Sequence, residues 1–190
     1  MRLKTWSALL TGAALVTAVT VWHESWRVWP PLPEVDQRVS AAALPVIDRY
    51  LESGGAVVWP SSMPARMGPR WFCAEVPIET ERRGSQVRVS LEVDCGDYAR
   101  VGGGLVNHAG TRTHVLATLD HSGAVPVVRD VAEPDDGAFW RPSMKRLFSE
   151  RALAEFDRRE RQGRYVEEPD SEAARAFGLP PGTKARRYEM

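Results

Sequence analysis

The sequence predicts an α+β fold: a curved antiparallel sheet of about four to five strands, an N-terminal helix packed across it, short C-terminal helices, and one transmembrane helix ahead of them all. Three observations carry this. Trp6 to Trp22 contains no charged residue, Ser85 to Asp94 alternates apolar and polar with period two, and apolar stripes at spacings of three and four stand before and after the strand region.

The charge-free run follows Arg2 and Lys4. As a helix it spans about 25 Å at about 1.5 Å per residue, close to the roughly 30 Å hydrocarbon core. Positive charge on the short N-terminal side predicts a cytoplasmic N-terminus, with the rest of the chain across the membrane. Trp22, Trp26 and Trp29 directly follow the run, where indole rings suit the membrane-water interface, so a retained signal-anchor is expected. The alternative is secretion after cleavage, because Val16-Thr17-Ala18 offers small residues of the A-x-A kind. The chain then divides into a cytoplasmic end (1–5), a transmembrane anchor (6–22), a Trp/Pro-rich spacer (23–34), an extracytoplasmic α+β domain (35–162) and a mobile tail (163–190).

In the spacer, WPPLP holds the chain extended. Val39, Ala43, Val46, Ile47, Tyr50 and Leu51 form a helical stripe ending at Gly54-Gly55, with Pro45 implying a kink or a start near Ala43. In the next strands Val87, Val89, Leu91 and Val93 face a core, while Arg88, Ser90, Glu92 and Asp94 face solvent. Thr113 to Leu119 and Val125 to Val131 make a second hairpin around Asp120-His121-Ser122-Gly123. After the turn Glu133 to Gly137, Phe139, Trp140, Met144, Leu147, Phe148, Leu153 and Phe156 suggest two short helices broken near Ser149. Falling apolar content from Gly163 and Pro180-Pro181-Gly182 suggest a loose end with one helical turn from Ser171 to Phe177.

Charge narrows the function. With 25 basic and 25 acidic side chains, no net field attracts nucleic acid, and none is expected as a partner. The only cysteines, Cys73 and Cys95, flank a turn at Arg83-Gly84 in a segment placed outside the cytoplasm, which points to a disulfide. A zinc site would need more nitrogen and sulfur ligands near Cys73 than the sequence has. Unbroken alternation would put Cys73 with Glu75 and Glu79 and oppose it to the apolar face of the next strand. A bulge near Ala74 to Pro77 is therefore expected, bringing Trp71, Cys73, Val76 and Ile78 onto one apolar face.

His108, His114 and His121 are the candidate catalytic residues. His108 could form an acid-base pair with Asp97 or Asp130, and His114, Asp120 and His121 could be drawn as a metal site, although their spacing matches no established ligand pattern. Gly102-Gly103-Gly104 lacks the lysine and helix of a phosphate loop, no G-x-S-x-G elbow is present, and Ser61-Ser62 has no visible partner. No metal or cofactor is implied. The mixed charges of Asp157 to Arg161 read as a solvated helix face.

The order helix, antiparallel strands, closing helices resembles the cystatin-like and nuclear-transport-factor-like architectures. A cystatin inhibitor would require Q-x-V-x-G, and Gln86 is followed by Arg88 and Ser90 in those positions. From Arg70 to Phe148, WFCAEV, VDC, EPDDGAFW and KRLF look like small exported actinomycete proteins of unknown function. The expected role is a non-catalytic, membrane-anchored binding or interaction module of the cell envelope, engaging an envelope protein or an unspecified small ligand through its concave sheet. The alternative is a small extracytoplasmic enzyme whose helix-sheet pocket uses one or more of the three histidines.

Overall fold

Asp36 decides where the first helix begins. Its carboxylate accepts the N–H groups of Arg38 (2.9 Å) and Val39 (3.1 Å), satisfying donors that a helix start leaves free. In this computed structural model, which describes residues 30–189, α1 runs Gln37–Glu52 and continues through Pro45 rather than starting near Ala43. The transmembrane anchor expected at residues 6–22, and Trp22, Trp26 and Trp29, lie outside the described residues. Among the described residues, no helix is long and apolar enough to cross a membrane.

Three long strands follow: β1 (Arg70–Arg83), β2 (Gln86–Val101) and β3 (Gly104–Asp120). The turn between β1 and β2 uses Gly84 at φ 63°, a left-handed conformation that suits glycine. β4 (Val127–Ala132) pairs antiparallel with the C-terminal end of β3, from Leu116 to Asp120. β5 (Arg186–Arg187) pairs in parallel with Val106 and Asn107 at the other end of the same edge. The sheet is therefore open, five-stranded and mixed, where an antiparallel one was expected.

Both faces are covered. The stripe Val39, Ala43, Ile47 and Leu51 of α1 packs on Trp71, Cys73, Val87, Val89, Leu91, Val93, Cys95, Val115, Ala117, Leu119 and Val131. On the second face, α2 (Trp140–Leu147) and α3 (Glu150–Arg161) supply Met144, Ala152 and Phe156 to a cluster with Ile78, Leu116 and Phe148. Farther along that face, α4 (Asp170–Ala176) places Ala173 and Ala174 with Phe72, Tyr98, Leu105 and Leu179.

This second cover corrects two expectations. Arg88, Ser90, Glu92 and Asp94 were read as a solvent face, yet Ser90 and Glu92 are buried beneath the helices. The segment 163–190, read as a loose end, instead packs α4 and β5 onto the sheet as far as it is described. Polar clips explain how so little apolar sequence is held there. Asp170 accepts from Tyr98 Oη (3.1 Å) and from the Ala185 N–H (3.3 Å), and Arg100 donates to the Phe177 carbonyl (3.1 Å). Glu79 accepts from Ser149 Oγ (2.5 Å), and Ser149 caps α3 by accepting the Ala152 N–H.

Cys73 and Cys95 are disulfide-bonded and directly opposed across β1 and β2, with Cα atoms 4.0 Å apart. The bulge lies between Pro77 and Glu79, slightly beyond the expected place. Trp71 and Cys73 share the α1 face, but Ile78 joins the opposite cluster. The single apolar face was unnecessary because both faces are cores.

Candidate functional site

Strand length creates the candidate site. At about 3.3 Å per residue the 16 residues of β2 extend roughly 53 Å, whereas the 12 residues of α3 reach only about 18 Å. Helices α2 and α3 cover one end of the second face and α4 covers the other. Between them, the paired residues Glu92 and His114, Asp94 and Arg112, and Gly96 and Gly110 floor a groove.

The groove holds two adjoining cavities, of about 200 Å³ and about 390 Å³, that share Arg112. The smaller is lined by His114, Trp140, Phe156, Tyr165, Glu92 and Arg159, among others. His114 lies edge-on to Phe156, with ring centroids 4.1 Å apart, and burial lowers its pKa against the opposing pull of Glu92. It is therefore a neutral imidazole at neutral pH. Glu92 accepts from Arg159 Nε (2.8 Å) and from the Val166 N–H (3.3 Å), which fixes the loop carrying Tyr165. The Arg112 guanidinium stacks on Tyr165 at 5.1 Å, and its Nε donates to Asp94 at 2.8 Å. The larger cavity is polar and adds Asn107, Thr111, Glu168, Asp170 and Arg187.

One wall of the groove is an unfinished sheet edge. β5 ends its pairing at Asn107 and β4 begins at Leu116, so no strand among the described residues pairs with the outer edge of His108 to Val115. The ladder shows which amides point outward. Cys73 N–H leaves β1 at its free edge to reach Glu52 (3.3 Å), so Cys73 and Cys95 form a non-hydrogen-bonded pair. Cys95 then bonds across to Thr111, and alternation turns the N–H groups of Gly110, Arg112 and His114 outward.

The structure does not bring the candidate histidines together. They lie along β3 and its following turn, so His108 and His114 are separated by about 20 Å of extended chain. Only His114 enters the groove. His108, the extra residue where β2 and β3 shift register, contacts the Tyr188 carbonyl through Nδ1 at 3.2 Å. The drawn metal set of His114, Asp120 and His121 fails as well. Asp120 is held to Arg129 (2.7 Å) and the Ser122 N–H (2.9 Å), which bring its carboxyl down to about 2.

Asp97 and His108 are close enough for the imidazole to pull the Asp97 pKa down, although burial dominates and raises it. Asp97 is fully buried, and its Oδ2 accepts from Ser61 Oγ at 2.5 Å, giving Ser61 the partner that sequence did not reveal. This serine contacts the acid rather than an imidazole, so no nucleophile-base relay is formed. Asp130 sits opposite Thr118, about ten strand residues from His108.

A second feature was missed entirely. Asp48 and Glu52 of α1, Glu75 of β1 and Glu172 of α4 gather by the free edge of β1, with oxygens of Asp48, Glu52 and Glu172 within 4.8 Å of one another. Burial first, then the neighbouring carboxylates, raises Glu75 to about 8 and Glu52 to about 7, and Asp48 is raised too. Arg49 and Arg70 are the cations that oppose these shifts. The overlooked signal was a like-charged i, i+4 pair, Asp48 and Glu52, beside an apolar stripe. No comparable signal marks Arg112, Trp140 and Tyr165, which are remote in sequence and meet only through the fold.

Comparison with family models, with curated proteins and with solved structures finds no match. The function must be argued from the site.

Proposed function

We propose that this protein is a membrane-anchored, extracytoplasmic binding or interaction module of the cell envelope, and that it engages its partner through the groove on the second face of the sheet. The supporting observation is the arrangement of two adjoining cavities along an unpaired stretch of β3, with aromatic and guanidinium groups already oriented by ion pairs and stacking. Side chains held in place before a ligand arrives lower the cost of ordering on association, which favours binding. Helix α1 covers one face of the sheet, which leaves the groove on the opposite face to engage a partner. The disulfide is consistent with a location outside the cytoplasm.

The test is site-specific photo-crosslinking with the full chain in intact membranes. A photoreactive residue replacing Tyr165 should form a discrete adduct, whereas one replacing Tyr50 on α1 should not. Adducts from Tyr50 alone would overturn the groove assignment. A histidine-based enzyme is the second reading, supported only by the neutral imidazole of His114 in the smaller cavity. It requires His114 alone, since His108 and His121 lie elsewhere.

A further inference from the structure

The exposed edge of β3 carries information about what it accepts. Gly110, Arg112 and His114 present outward amides, and the same three residues have their side-chain positions on the groove face. An extended segment paired antiparallel to this edge would therefore set every second side chain over the groove. The residue opposite His114 enters the smaller, aromatic cavity, the residue two positions on faces Arg112, and the residue four positions on reaches the larger, polar cavity.

The groove also carries five carboxylates, of which Glu92, Asp94 and Asp170 are ion-paired, so the charge that bears on the occupant is the local one at Arg112. Arg112 is 42% exposed at the centre of the unpaired stretch, and both nitrogens it gives to Asp94 meet the same oxygen, Oδ2. Its remaining terminal nitrogen, Nη1, has no hydrogen-bond partner among the described residues. Arg187, which lines the larger cavity, is exposed and has no ion-pair partner among the described residues. Two copies of this chain paired about a two-fold axis through Arg112 would place Arg112 opposite Arg112, and like charges directly opposite destabilise a strand pair. A cation at this place disfavours that self-paired register, and its free Nη1 favours an acidic residue on a foreign strand.

We propose that the His108 to Val115 edge of β3 binds, by antiparallel strand addition, an extended segment of another protein that carries an apolar side chain and, two residues after it, an aspartate or glutamate. This rests on the groove reading above and names the chemistry of its partner. Main-chain hydrogen bonds to Gly110, Arg112 and His114 would supply affinity, while the aromatic cavity and Arg112 would supply selection.

The test uses the full chain in detergent and synthetic peptides of about eight residues, alternating threonine and valine, with phenylalanine at the pocket position and aspartate two places on. Fluorescence anisotropy should show this peptide binding about fivefold to tenfold tighter than one with lysine replacing aspartate. N-methylation of the amides that face β3 should abolish binding. In Arg112→Glu the charge preference should reverse, and the aspartate-to-lysine comparison on the unaltered protein keeps the test valid if that variant does not fold. Equal binding of both peptides, still lost on N-methylation, overturns the acidic preference but leaves the groove in place. No peptide binding, with crosslinks from Tyr165 retained, overturns strand addition alone. Concentration-dependent dimers crosslinked through this edge overturn the foreign partner.

Discussion

The two edges of the sheet are finished differently. Along β1, the Cys73 N–H is taken by Glu52 (3.3 Å) and the Thr80 N–H by the Glu34 carbonyl (2.9 Å), so residues outside the sheet cap part of the edge. Along β3, strands occupy only the two ends and the middle remains unpaired. Exposed edges invite pairing with other chains, and proteins normally blunt them. One edge is thus partly capped by Glu52 and Glu34 while the other lies open beside two cavities, and under the proposed function the open edge is the one that recognises a partner.

One of the two largest expected effects lies beneath the open edge. Glu92→Ala removes the carboxylate that holds Arg159 and the Val166 N–H, leaving a cation that is 14% exposed without its partner. Loss of about 3 kcal/mol is expected, at the low end for a broken buried pair. Urea unfolding would measure it, and the loop bearing Tyr165 should become open to proteolysis.

At the capped edge, replacing Cys73 and Cys95 by alanine should cost about 3 kcal/mol in the same assay, as expected for a crosslink of this loop size. A loss as large in the environment of Tyr165 as in that of Trp71 would erase the distinction between the edges.

The acidic cluster gives a smaller effect of definite sign. Glu75 and Glu52 keep their protons in the folded protein up to about 8 and about 7, whereas their ordinary value is 4.5. Stability from these groups is complete below the unfolded value and is lost as pH rises through the folded ones. The urea midpoint should therefore fall between about pH 5 and about pH 8. Glu75→Gln, which mimics the protonated acid, should flatten that decline and stabilise the protein by about 1 to 2 kcal/mol at the upper end. A midpoint that rises with pH would show that the cluster is not proton-loaded.

These features differ in how far sequence exposes them. The alternation of β2 and the pairing of Cys73 with Cys95 were legible because they depend on neighbours in the chain and on a period of two. Glu92 was misread as a solvent residue because polarity records the side chain and not its partners. Only the fold brings Arg159 and Val166 to it. The bulge at Ile78 lies later than expected, so Glu75 keeps its alternation with Cys73, shares the α1 face and is carried into the acidic cluster. In the tail the helical turn expected at Ser171 to Phe177 was legible and forms as Asp170–Ala176, but its docking was not, because Asp170, Tyr98 and Arg100 hold it by hydrogen bonds that only the fold brings together. The open edge has no sequence signature, because it exists only where β4 and β5 stop short of each other.

Amide hydrogen exchange resolved by residue tests the contrast between the edges most directly. The amides of Gly110, Arg112 and His114 should exchange close to the rate of unstructured chain, while those of Cys73 and Thr80 exchange at least about a hundredfold more slowly. Equal, strong protection at both edges would contradict the account, for it would mean that β3 is already paired.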